Sequence, residues 1–112
     1  MDPVEVERMD RRHKLHDELC TLKEFGVKKV LFQPPPSVQL EYPAIIYTTK
    51  STYTTNADNR VYTGHRFYQI ELIDPDPDTP FIDKLLEMFP MIKHVNNFKT
   101  SNLNHNVFDL YY

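Results

Sequence analysis

Two groups of side chains have the types and spacing that could hold a metal ion. His13 and His16 stand three apart, and Asp74, Asp76 and Asp78 alternate with Pro75 and Pro77. A closed or catalytic metal centre needs at least three protein ligands. The histidine pair has no third partner motif beside it. The aspartates match the opening of a calcium loop, but its glycine and closing glutamate are missing. The plainer reading makes the histidines two residues on a helix flank. It makes the aspartates a rigid acidic turn whose last member caps a helix. Glu71 lacks the lysine that a two-carboxylate nuclease centre would place after it. His65, His94 and His105 are isolated and read as strand-surface or hairpin contacts. Cys20 has no Cys–His motif around it and reads as a small apolar residue. The only glycines, Gly26 and Gly64, stand too far apart to cradle a phosphate. The residues therefore point away from an enzyme and call for no cofactor or metal.

The elements that must carry these residues fit one domain, since the chain has 112 residues. Nine prolines against two glycines predict stiff connections with few left-handed turns. A net charge of −3 argues against nonspecific nucleic-acid binding, which needs clustered Lys and Arg. No stretch approaches the ~20 apolar residues of a membrane span. The first residues, MDPVEVERMD, carry no apolar signal core. A lone cysteine forms no internal disulfide and suits a reducing compartment, so synthesis in the cytosol is expected.

A helix is expected over about 3–25. Asp2 can cap it, Pro3 sits at its favoured first position and Gly26 stops it. Its apolar stripe reads as Val6, Met9, His13, His16, Leu19, Cys20 and Lys23, broadened by Leu15, Leu22 and Phe25. The sheet and a second helix then fill 28–112. Lys28 to Gln33 is a short strand, Pro34 to Pro36 an extended connection, and Tyr42 to Lys50 the most apolar strand. The run Arg60 to Asp78 alternates through Ile73, with Val61, Thr63, His65, Phe67, Gln69, Glu71 and Ile73 on one side and Tyr62, Gly64, Arg66, Tyr68, Ile70 and Leu72 on the other, neither side purely apolar. It exceeds the usual ~5–6 residues of a strand. It is therefore expected to be central in the sheet, or one arm of a hairpin reaching beyond it. Asp78 or Thr79 should cap a helix from Pro80 to Phe89, ended by Pro90. Ile92 to Lys99 is a weaker strand, and His105 to Tyr112 another. The order gives an α+β fold, a single mostly antiparallel sheet with a long β-hairpin and two helices packed on one face.

With chemistry set aside, surface remains. Tyr53, Asp58, Asn59, Arg60, Tyr62 and Arg66 gather at or near the hairpin tip. Arginine and tyrosine anchor protein interfaces. A long two-stranded arm is marginal in water without packing, which favours an oligomer or partner contact over a bare hairpin.

Several phrases resemble a known family. They are Val30 to Pro35, Tyr42 to Tyr47, Ala57 to Arg60, Tyr68 to Asp78 with the helix Pro80 to Phe89, and Asn102 to Tyr112. Together they resemble the tail completion or tail terminator proteins of long-tailed bacteriophages, over most of the chain from about Val27. The N-terminal helix matches in kind more than in sequence. The resemblance implies a small α+β protein that forms a ring, usually a hexamer, on the last ring of the tail tube. Such a ring stops tube polymerisation and offers a docking surface to the head. It further implies a place in the virion, at the junction of tail and neck. The implied partners are other copies of the chain, the tail tube protein and a head-completion or neck protein. No membrane is involved, and DNA only passes through the ring. The hairpin Tyr47 to Tyr68 would then make ring or tube contacts, with Asp58, Arg60 and Arg66 as charged partners.

Competing readings are a neck or head-closure connector on the portal side, a small metal-dependent hydrolase built on the aspartates or the histidine pair, and an adaptor that binds a peptide along a sheet edge.

Overall fold

The computed structural model describes residues 3–50 and 66–112, with side chains from Asp10 onward in the first stretch. Helix α1 (Pro3–Cys20) runs into a 3-10 turn, Thr21–Phe25. Strands β1 (Lys29–Phe32), β2 (Ala44–Thr49) and β3 (Phe67–Asp74) follow, then helix α2 (Phe81–Met88) and strands β4 (Ile92–Thr100) and β5 (Leu103–Tyr111). They form one five-stranded sheet in the order β1-β2-β3-β5-β4. All pairs are antiparallel except β1 with β2, which is parallel. The fold is the expected α+β sheet, mixed rather than purely antiparallel. Among the described residues no helix is long and apolar enough to cross a membrane.

The expected alternation in β3 decides the core. Tyr68, Ile70 and Leu72 are buried. They join Val30, Ile45, Tyr47, Phe108 and Leu110 of the neighbouring strands in one apolar cluster. Leu15, Leu19 and Leu22 cover it from the first helical stretch, and Phe81 and Leu85 from α2. Both helices thus pack on one face. β3 stands in the middle of the sheet, its Tyr68 opposite Thr49 and its Ile73 opposite Ala44. The part of the long run before Arg66, and with it most of the hairpin arm, lies outside the described residues.

Four local expectations need correction. The helix does not continue to residue 25 as α-helix but tightens at Thr21. Its buried stripe is Leu15, Leu19 and Leu22, while His13 and Lys23 are exposed and Phe25 keeps 60% of its surface. Three leucines at i, i+4 and i+7 offer more apolar area to the sheet than a stripe centred on histidines and lysine. The three prolines do not give a purely extended link: Gln33 takes φ 44°, and Val38 N–H donates to Pro35 O at 3.0 Å in a turn. Asp78 does not cap α2. Pro80 occupies the cap, and Thr79 Oγ1 accepts the Phe81 N–H at 3.2 Å. Gly26 stops the helical stretch as expected, at φ 125°, with its N–H donated to Lys23 O.

Candidate interaction surface

Of the six residues expected at the hairpin tip, Tyr53, Asp58, Asn59, Arg60 and Tyr62 lie outside the described residues. Arg66 is half-buried at the end of the sheet. Its N–H donates to Tyr112 O at 3.0 Å and its carbonyl accepts from Tyr112 N–H at 2.9 Å. It lies near enough to the Tyr68 hydroxyl to oppose the upward pKa shift that burial imposes there. His65 also lies outside the described residues.

The metal-like groups have structural engagements. Asp74 Oδ1 accepts the Asp76 N–H at 2.9 Å, and Asp76 Oδ1 accepts the Asp78 N–H at 2.8 Å. These are successive Asx turns that brake the chain between β3 and α2. His13 is exposed, whereas His16 Nδ1 is hydrogen-bonded to the Tyr47 hydroxyl at 2.7 Å. Among the described residues, no three His, Cys, Asp or Glu side chains converge as metal ligands. Cys20 is half-buried against the core. His94 stacks on the buried Phe108 at 4.7 Å, so it lies on the core side of the sheet rather than on a strand surface, while His105 contacts Glu71 across β3 and β5 on the other side.

The surface that remains is the sheet face opposite the helices. At one end of it Ile73 and Ala44 are buried, so its open part runs over Phe67, Gln69 and Glu71 and across β5 to β4. Its register brings together residues far apart in sequence. Phe67 opposes Tyr111, Gln69 opposes Asp109 and Glu71 opposes Val107. Lys93 is the cross-strand partner of Asp109 on β4, and Phe98 that of His105. Phe67 and Tyr111 stack with centroids 4.6 Å apart, and Phe98 and His105 at 4.7 Å. Lys50 Nζ donates to Asp109 Oδ1 at 2.9 Å and lies 5.2 Å from the centre of the Phe67 ring. Glu71 meets His105 Nδ1 at 2.5 Å. Aromatic pairs and partly exposed charges on an open sheet face suit a protein contact. Sequence reading placed Phe67, Gln69 and Glu71 on one side of β3 but had no signal for their partners from β5.

Both sheet edges are defended. β1 is only four residues long and carries Lys29. β4 spans nine residues but holds Lys93 and Lys99, and its register slips between His94 and Asn96. Short strands, lysines and bulges discourage strand addition. The adaptor reading thus meets guarded edges, while the face is open.

A polar seam joins α1 to the sheet. Tyr47 is fully buried, and burial pushes its hydroxyl pKa up to about 12, opposed by the Arg12 guanidinium. Arg12 in turn lies 4.5 Å above the Phe32 ring. Desolvation holds the His16 pKa below its ordinary 6.5 against the pull of Asp17, with Lys23, Arg12 and His13 adding to the depression. A histidine depressed in the folded state binds fewer protons folded than unfolded, so stability rises with pH in that window. The His16 contribution should be complete above about pH 6.5 and fall as pH drops through the depressed folded value. Urea midpoints read along a pH series should show this slope, and His16→Gln should flatten it. An unchanged slope would rule His16 out as its source.

A groove of about 500 Å³ lies between α1 and the chain end, lined by residues that include Arg11, Lys14, Glu18, Met91 and Tyr112. The Tyr112 hydroxyl donates to Glu18, and burial followed by that bond pushes its pKa up. The last described residue is thereby tied to the first helix.

Comparison with protein families, with curated proteins and with solved structures finds no match for this chain.

Proposed function

We propose that this chain is a structural subunit of a bacteriophage tail, one that assembles into a ring, six copies by the resemblance, on the end of the tail tube. The ring stops tube polymerisation and presents the docking surface for the head. Two things support the reading. One is the set of phrases from Val30 to Tyr112 that resembles the tail terminator family. The other, and the observation that carries it on the structural side, is the open sheet face with its stacked Phe67–Tyr111 pair. A chain that buries one face well and leaves aromatic rings on the other is built to be covered.

The test mixes the purified chain with polymerising tail tube protein and measures tube length by electron microscopy and particle mass by light scattering. Capped tubes of arrested length and a ring-sized mass are expected. A strict monomer that ignores tube and neck proteins overturns the reading. Binding to a portal or neck protein and not to the tube moves the chain to the head side of the joint. Arg60→Glu together with Arg66→Glu should leave the monomer folded and weaken assembly. Unchanged assembly removes the hairpin as a contact.

A further inference from the structure

The hydrogen bond between α1 and β2 has a direction. Tyr47 is fully buried, and its hydroxyl keeps its proton because burial disfavours the phenolate. Among the described residues that hydroxyl has one hydrogen-bond partner, His16 Nδ1 at 2.7 Å. The other polar groups that act on it are the Arg12 guanidinium, the Tyr68 hydroxyl and the Cys20 thiol. A guanidinium donates and never accepts. The Tyr47 O–H therefore points at His16. That holds the imidazole in the tautomer with its proton on Nε2 and a bare Nδ1.

A proton on Nδ1 inverts this arrangement. Nδ1–H then faces the Tyr47 O–H donor to donor. The hydroxyl oxygen can still accept, but its own hydrogen loses its acceptor among apolar side chains, and a buried donor without a partner is costly. The new charge also meets cations. Arg12 and His13 stand beside it on α1 and Lys23 on the 3-10 turn, with Asp17 as the opposing carboxylate. Strands β1 and β3 meet the pair with rings, Phe32 at 5.0 Å from Tyr47 and Tyr68 at 6.2 Å.

We propose that the His16–Tyr47 bond is an acid-sensitive latch on the flank of α1 that lies over β1. It opens when Nδ1 takes a proton, and it uncovers Phe32 and Cys20 while Leu15, Leu19 and Leu22 stay docked. Arg12 lies over the Phe32 ring on this flank, and Cys20 follows His16 one helical turn on. Both Phe32 and Cys20 are half-buried against the core. The opening is local because the three leucines keep the apolar contact that seats the helix. Desolvation holds the folded His16 below its ordinary 6.5, so the latch is shut above about that pH and opens as pH falls through the lower folded value.

The test labels Cys20, the only thiol of the chain, with dithiodipyridine. Rates are taken at about pH 7.5 and about pH 5, and each is divided by the rate of the urea-unfolded chain at the same pH, which removes the chemistry of the reagent. Protection of Cys20 should fall at least about fivefold on acidification, the worth of one hydrogen bond, with far-UV circular dichroism unchanged. His16→Gln does not titrate and should show equal protection at both pH values, and His16→Asn stands in where it does not fold. Tyr47→Phe should lose most of the response. Nitrogen-15 shifts of the wild-type imidazole should show a bare Nδ1 at the higher pH. Unchanged protection in the wild type overturns the latch, as does a response that survives in the His16 variants. Loss of the circular dichroism signal over the same pH range makes the event global unfolding and overturns it too. A full response in Tyr47→Phe, or a protonated Nδ1 at the higher pH, removes the hydroxyl from the mechanism and the proposal with it.

Discussion

Tyr47→Ala should lower stability by about 3–5 kcal/mol, the range for truncating a large buried aromatic. Tyr47 has no exposed surface, and three ring systems meet it: Phe32 at 5.0 Å, His16 at 5.7 Å and Tyr68 at 6.2 Å. It therefore joins β1, α1 and β3 through one side chain on β2. Alanine leaves a cavity where these elements converge and strands His16 Nδ1 without its 2.7 Å partner. A domain of this kind holds ~5–15 kcal/mol in all. The loss should show as a melting temperature lower by on the order of 10 °C or more and as a urea midpoint shifted at constant slope. Tyr47→Phe separates the two contributions. It keeps the ring contacts and removes the hydroxyl, so it should cost only about 1–1.5 kcal/mol. Equal losses in the two variants would place the weight on the hydrogen bond. A loss below ~1 kcal/mol in the alanine variant would mean that the surrounding rings collapse into the space.

Much of this scaffold was legible in residue order, for a local reason. Alternation alone groups Tyr68, Ile70 and Leu72 on one side of β3, since successive strand residues face opposite ways, but it is the packing of the neighbouring strands and helices that makes this side the inward one. Gly26 and Pro90 stop their helices by backbone constraints that need no partner. What was not legible depends on partners far along the chain. The α1 sequence distributes apolar residues around the helix, so periodicity alone does not choose among stripes. The sheet chose Leu15, Leu19 and Leu22. The parallel pairing of β1 with β2 is a matter of topology, and no signal in KKVLFQ announces it. On the open face, Lys50 and Asp109 are 59 residues apart, and the 2.9 Å between them exists only through the β2-β3-β5 register. Attention to the hairpin tip therefore missed the patch formed where strands from the two halves of the chain meet.

Leu19→Asp should unfold the whole domain, not merely detach α1. Leu19 and Leu15 are fully buried and Leu22 is 2% exposed, so the helical layer seals the β1-β2 half of the core. An aspartate in that seam would place a charge among apolar side chains with no ion or donor to meet it, which costs several kcal/mol. Undocking α1 avoids the buried charge but exposes Val30, Ile45 and Tyr47 together and breaks the His16–Tyr47 and Glu18–Tyr112 hydrogen bonds. Either way the loss takes most of the ~5–15 kcal/mol available. Helix and aromatic signals should therefore fall in one shared transition, at a much lower temperature than in the wild type. Trypsin supplies an independent readout, because Arg11, Arg12 and Lys14 lie on this helix. Cleavage there should quicken by at least about tenfold, following the rise in open population that a loss of ~1.4 kcal/mol or more produces. Cleavage of α1 beside a sheet that still melts at the wild-type temperature would instead make the helix a detachable cover, and the sheet a domain able to hold its own core.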